Sequence, residues 1–121
     1  MSYNIFLDDV RVPKNVTWKK LPNYEWTIVR TYTEFVNLIK NKGFPNHICY
    51  DHDLGDEHYG DTNIDYSKYI EKTGYDCARW MVEYCELHKL KHPNYTIHSM
   101  SPVGSRNIEL VIEKYNNDFK Y

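Results

Sequence analysis

The chain has 121 residues, 41% of them hydrophobic and 26% charged, which suffices for one domain spanning residues 1–121 and excludes wholesale disorder. A net charge of −2 leaves no basic footprint for duplex DNA, and no apolar run approaches a membrane span, so neither partner is expected. Three cysteines, Cys49, Cys77 and Cys85, odd in number and set in apolar stretches, argue against a disulfide framework and fit a reducing cytoplasm.

Tyr3 to Leu7 reads as a first strand, followed by a connection rich in Lys, Pro and Asn that reaches Tyr24. Trp26 to Val29, β-branched and aromatic, reads as a second strand. Thr31-Tyr32-Thr33-Glu34 matches a capping box, Phe35, Leu38 and Ile39 have helical spacing, and Gly43 with Pro45 ends that helix. His47 to Tyr50 is the third strand. Residues 55–72 are polar, acidic and tyrosine-bearing, and are expected to form a lid loop. Thr73 then caps a helix whose core face is Ala78, Met81, Val82 and Cys85. Tyr95 to His98 is the fourth strand, and Pro102 opens a last helix with Ile108, Val111, Ile112 and Tyr115 on its core face. Strands alternating with helices predict a small three-layer α/β domain, with a mostly parallel sheet, right-handed crossovers and helices on both faces.

Three of these strands end in chemistry-bearing residues: Asp8 and Asp9 after the first, Asp51, His52 and Asp53 after the third, His98 and Ser99 after the fourth. In an open parallel sheet the carboxyl ends of the strands form the crevice that binds ligands, so these groups are expected at one edge. Carboxylates in such a place either ligate a hard cation, magnesium or manganese, or cap loops and helices; Asp8, Asp9 and Asp51 are the candidate ligands, and a metal-free site is an equal alternative. His52 and His98 at the ends of neighbouring strands would supply a general acid and a general base, a pair that needs no metal. Arg11 either grips a phosphate or neutralises Asp8 or Asp9. The last helix starts with Gly104, Ser105, Arg106 and Asn107 in its first turns, where amides and side chains can cradle an anion, unless Gly104 serves only close packing.

The motifs LDDxRxP (Leu7 to Pro13), DHDLG (Asp51 to Gly55), GxDxAxW (Gly74, Asp76, Ala78, Trp80) and HSxxPVGxxNI (His98 to Ile108) resemble the cyclic-phosphate-processing receiver-like family over nearly the whole chain. That resemblance implies a receiver-like Rossmannoid fold with strand order 2-1-3-4, and phosphoester chemistry. It departs from a signalling receiver in lacking a fifth strand with its phosphate-sensing lysine, since Lys114 and Lys120 lie in or beyond the last helix.

The function expected is hydrolysis of a cyclic phosphate, in a cyclic nucleotide or at an RNA end. His52, His98, Asp51 and Asp8 would be the catalytic groups; Arg11, Ser99, Asp53, Gly104, Ser105 and Asn107 would hold the substrate. The alternatives are a protein that sequesters a nucleotide signal without cleaving it, a degenerate phospho-receiver with Asp51 as acceptor, and an interaction module with a vestigial site.

Overall fold

The computed structural model describes residues 3–52, 54 and 73–119; Asp53 and the expected lid at 55–72 lie outside the described residues. Four strands, β1 (Asn4–Leu7), β2 (Trp26–Val29), β3 (His47–Tyr50) and β4 (Asn94–Ile97), form one parallel sheet in the order β2-β1-β3-β4. Three helices accompany them: α1 (Tyr32–Lys42), α2 (Gly74–His88) and α3 (Pro102–Asp118). This is the α/β receiver-like arrangement expected from the sequence, and among the described residues no strand follows β4.

Central strands of a parallel sheet are buried on both faces, which is why Ile5-Phe6-Leu7 and Ile48-Cys49-Tyr50 are unbroken apolar runs without exposed surface. Ile5, Leu7, Ile48 and Tyr50 share one core with Phe35 and Ile39 of α1, Cys77 and Met81 of α2, and Ile108 and Ile112 of α3. Phe6 and Cys49 face the other way and pack against Val16, Leu21 and Trp26. Helices were expected on both faces. Instead all three contribute to a single core, and the opposite face is covered by the 8–25 connection with one short 3-10 turn, Pro13–Asn15. Right-handed crossover explains the distribution. The passages from β2 to β3 and from β3 to β4 run the same way along the sheet and so place α1 and α2 on one face, whereas β1 to β2 runs back across the other.

The helix starts follow local chemistry. Thr31 Oγ1 accepts from the Glu34 amide at 3.1 Å, while the Glu34 carboxylate reaches one residue further back than a capping box requires, to the Arg30 amide at 2.6 Å. Thr73 and Asp76 cap α2 reciprocally, the Thr73 amide donating to the Asp76 carboxylate at 2.8 Å. Ser101 accepts from the Gly104 amide at 3.2 Å and Pro102 occupies the first turn of α3, where its missing N–H costs nothing. Such a cap supplies about 1 kcal/mol. Burying Ile108 and Ile112 completely contributes roughly 1.5–3 kcal/mol each, so packing rather than capping decides where α3 lies.

Two glycines let α2 and α3 approach the end of β3. A Cβ on Gly74 would stand 1.7 Å from the Asp51 carbonyl oxygen, and one on Gly104 would stand 2.3 Å from Cγ of His52. The Gly74 amide donates to the His52 carbonyl at 2.7 Å, so α2 begins in contact with the strand end it follows. Gly74→Ala should lower stability by about 2 kcal/mol despite alanine's better helix propensity, because the obstacle is backbone and cannot rotate away. Thermal unfolding should record a fall in Tm of roughly 5–10 °C, and an unchanged or higher Tm would contradict this packing.

Candidate functional site

The parallel ladder continues one residue past the end of each strand. The Asp8 amide donates to the Val29 carbonyl at 3.1 Å, the Asp51 amide to Leu7 at 3.0 Å, and the His98 amide to Tyr50 at 2.9 Å. Asp8, Asp51 and His98 therefore stand in one row across three strands. Each lies two residues beyond Phe6, Cys49 or Thr96 and so shares their face of the sheet.

Within this row Asp8 and His98 form a buried pair, His98 Nε2 to Asp8 Oδ2 at 2.9 Å, with neither side chain exposed. An ionised carboxylate only accepts, so Nε2 carries the proton. His98 Nδ1 lies 3.0 Å from the Cys49 thiol, and the imidazole stacks on Phe6 with centroids 4.7 Å apart and planes 11° from parallel. Cys49, His98 and Asp8 are thus linked like a nucleophilic triad. The thiol is not a nucleophile, however, because burial pushes its pKa up to about 12.

Asp8 is fully engaged. Its Oδ1 accepts from the Val10 and Arg11 amides at 2.9 and 2.8 Å, and its Oδ2 faces His98 and the Arg11 guanidinium, 3.5 Å away. Burial alone would raise its pKa, but the hydrogen bonds from His98 and from the Arg11 and Val10 amides outweigh burial and hold it well below its ordinary 3.8. Asp51 goes the other way, up to about 6, because it is buried and faces the negative charge of Asp8. Asp9, half-buried, is also raised, by burial and then by Asp8.

One ligand atom each from Asp8, Asp51 and His98 lies within 4.8 Å of the others, and Asp9 is not part of this group. The two carboxylates suit a hard divalent ion, whose charge would relieve their repulsion. The imidazole suits it poorly, since Nε2 is committed to Asp8 and Nδ1 to Cys49. Of the expected ligands Asp8 and Asp51 come together and Asp9 stands outside the group; because both Asp8 oxygens already accept hydrogen bonds, an ion there would have to displace part of that set.

The remaining expected residues divide. Arg11 lies between Asp8 and the Trp18 ring, 5.1 Å from its centroid, with Nη2 3.8 Å from Met100 Sδ, so it does neutralise Asp8 while remaining partly exposed. His52 is half-buried with its ring against Gly104, and its amide donates to Asp51 Oδ1 at 2.9 Å. Ser99 and Ser105 come together, Ser105 Oγ donating to the Ser99 carbonyl at 3.2 Å. Gly104 is buried and its amide is spent on Ser101, so packing is its role and it offers no amide to an anion. Asn107 is exposed on α3. A direct proton-transfer role for His98 does not fit a ring without exposed surface and with both nitrogens engaged; it is a positioning residue that holds Asp8.

Three residues at this edge were not anticipated. Arg30, directly after β2, donates from Nη1 to the Asp8 and Arg11 carbonyls at 3.2 and 2.6 Å and ties down the loop carrying Arg11. A cation at the carboxyl end of a strand beside two acidic ones was the available signal. Trp18 Nε1 donates to the His98 carbonyl at 2.8 Å, and Lys19 Nζ to the Ile97 carbonyl at 2.8 Å. Both come from the connection that has no periodicity to place it.

The opposite shifts of the two carboxylates give opposite pH effects. Asp8, lowered on folding, stabilises above its ordinary pKa of 3.8, and that contribution is lost as acid protonates it. Asp51, raised on folding, weakens the fold fully above about pH 6, and the penalty is relieved as pH falls toward 3.8. In buffer with chelator, Asp51→Asn should be more stable than the parent at pH 7.5 by about 2 kcal/mol, with the gap closed near pH 4. Denaturant unfolding across that range checks it, and a gap independent of pH would contradict the assignment.

The geometry agrees with the comparisons. A family model described as the cyclic-phosphate processing receiver domain matches residues 3–114. Neither a curated protein nor a solved structure gives a significant match. Among the described residues no helix is long and apolar enough to cross a membrane. With a match over nearly its whole length and a parallel sheet whose acidic edge is built as described, the chain belongs to the cyclic-phosphate processing receiver domain family.

Proposed function

We propose that the protein hydrolyses a cyclic phosphate, in a cyclic nucleotide or at an RNA end, at the carboxyl edge of its sheet. The observation that carries this reading is Asp51, a buried carboxylate with a pKa lifted to about 6, adjoining the half-buried His52 and standing in one row with Asp8. Active sites tune carboxylates in this way so that proton transfer works near neutral pH.

Hydrolysis requires water to attack phosphorus, one ring P–O bond to break, and the departing oxygen to gain a proton. Asp51 as carboxylate takes the proton of the attacking water. The His52 ring gives one to the leaving oxygen, leaving a phosphomonoester at the attacked phosphorus. Arg11 neutralises the phosphate with the donors that Asp8 does not use, and its carrier loop is held by Arg30. Asp8 and His98 touch no substrate in this scheme; they fix Arg11 and the row itself. Were a divalent ion held by Asp8 and Asp51, it would polarise a phosphoryl oxygen, and Asp51 would serve as ligand rather than base. Ser99 is half-buried at the end of β4, and its hydroxyl, which accepts from the Ser101 amide at 3.1 Å, keeps a hydrogen to donate to phosphate.

Sequestration without cleavage is favoured over hydrolysis by one observation, the saturated and buried state of Asp8 and His98, which leaves fewer groups for chemistry. Recovery of ligand after denaturation separates the two: intact cyclic phosphate means sequestration, ring-opened product means hydrolysis.

A panel of cyclic mono- and dinucleotides, assayed with and without chelator, should reveal turnover that His52→Ala and Asp51→Asn each lower by about 100-fold or more. Unchanged turnover in both variants would exclude this mechanism. The acid limb of kcat/KM should fall near pH 6, where Asp51 gains its proton. Arg11→Lys should chiefly raise KM, since an ammonium cannot replace a guanidinium that serves a carboxylate and a phosphate together.

A further inference from the structure

A cleft of about 290 Å³ is bounded by Trp18 and Lys19 of the β1–β2 connection, Ile97 and Ser99 at the end of β4, and Ser105, Arg106 and Glu109 of α3. Its chemistry is that of an anion site. Lys19 spends one ammonium hydrogen on the Ile97 carbonyl, which fixes its direction, and has two left. Arg106 is exposed and lines the cleft. The Ser105 hydroxyl spends its hydrogen on the Ser99 carbonyl and offers none to an anion, so the charge on this wall comes from Lys19 and Arg106. Glu109, also lining the cleft, is an acceptor that suits a ribose hydroxyl or an exocyclic amine.

Trp18 joins this cleft to the row of Asp8 and Asp51. It carries the Arg11 guanidinium over its ring, donates to the carbonyl of His98, and forms one wall of the cleft, with 42% of its surface exposed. Arg11 thus stands over one partly exposed indole, and Lys19 and Arg106 line the cleft that the same indole bounds. That is the pattern by which proteins hold successive phosphates of a nucleotide strand, with a base against the aromatic ring.

We infer that the cleft of Trp18, Lys19 and Arg106 binds a second phosphate, so that the substrate is a nucleotide bearing a phosphodiester next to its cyclic phosphate rather than a lone cyclic mononucleotide. The inference rests on the hydrolysis reading for the identity of the first phosphate. The cleft shares Ser99 with that reading but is lined by neither Asp51 nor His52.

Binding, read from the indole N–H resonance of Trp18 assigned with Trp18→Phe, tests it independently of turnover. The probes are adenosine 2′,3′-cyclic phosphate, the adenosine dinucleotide ending in that cyclic phosphate, and cyclic di-adenosine monophosphate. At least one two-phosphate probe should bind about 10-fold or more tighter than the mononucleotide, as expected when a second charged contact is made. Arg106→Glu, an exposed change that leaves the core untouched, should abolish that advantage and leave mononucleotide affinity unchanged. Preference for the linear dinucleotide identifies an RNA end, and preference for the cyclic one identifies a cyclic dinucleotide. Equal affinity for all three probes, no binding of any, or an Arg106→Glu variant that keeps the advantage overturns the inference. Tight two-phosphate binding without ring opening would sink hydrolysis and leave the second-phosphate site standing; ring opening with no preference would do the reverse.

Discussion

The edge of this sheet depends on the hydrogen bond between Asp8 and His98. Two ionisable groups without exposed surface are costly unless each is satisfied by the other and by its surroundings. Here they are satisfied: Asp8 collects the Val10 and Arg11 amides and the Arg11 guanidinium, and His98 collects Asp8 and Cys49 while stacking on Phe6. The pair spans the central strand, from the end of β1 to the end of β4, with β3 between them. Asp51 stands on that middle strand and receives the electrostatic consequence. Burial raises the Asp51 pKa, and the ionised Asp8 beside it raises it further. One buried pair therefore anchors Arg11 on one side and tunes a carboxylate on the other.

The approach of α2 and α3 to the same strand end completes the constraint. Gly74 leaves room for the Asp51 carbonyl and Gly104 for the His52 ring, so both helices close on the two residues that carry the proposed chemistry. Any side chain at either position would push a helix away from the site or the site away from the row. The conformational freedom of glycine is not what is needed there; its lack of a Cβ is.

The strands, the caps at Thr31 and Thr73 and the start at Pro102 were legible because each depends on local chemistry: apolar runs stopped by charge, hydroxyls three residues ahead of acids, and a proline in a first turn; the strand order came from the family resemblance. The convergence of Asp8, Asp51 and His98 was legible too, since parallel strands must end at one edge. The burial of His98 was not. It follows from the face that Phe6 and Cys49 share, from a stacking contact across a short cysteine side chain, and from a cover supplied by Trp18 and its neighbours, all of them tertiary. The 8–25 connection has no periodicity, so nothing in its residues announced that Trp18 and Lys19 would reach the end of β4 or that Arg30 would tie down the Arg11 loop. The alternation of Phe6 with Asp8 and of Cys49 with Asp51 was the one local clue that these acids look into a covered face.

The most direct test of this account is a double-mutant cycle on Asp8 and His98, measured by denaturant unfolding at pH 7 with Asp8→Asn, His98→Phe and the double variant. A pair that organises the edge should show a coupling free energy of about 2 kcal/mol, each single change leaving a buried partner unsatisfied and the double change recovering much of the loss. Additivity within about 0.5 kcal/mol would mean that the two residues act independently, and the edge would then be held by something else.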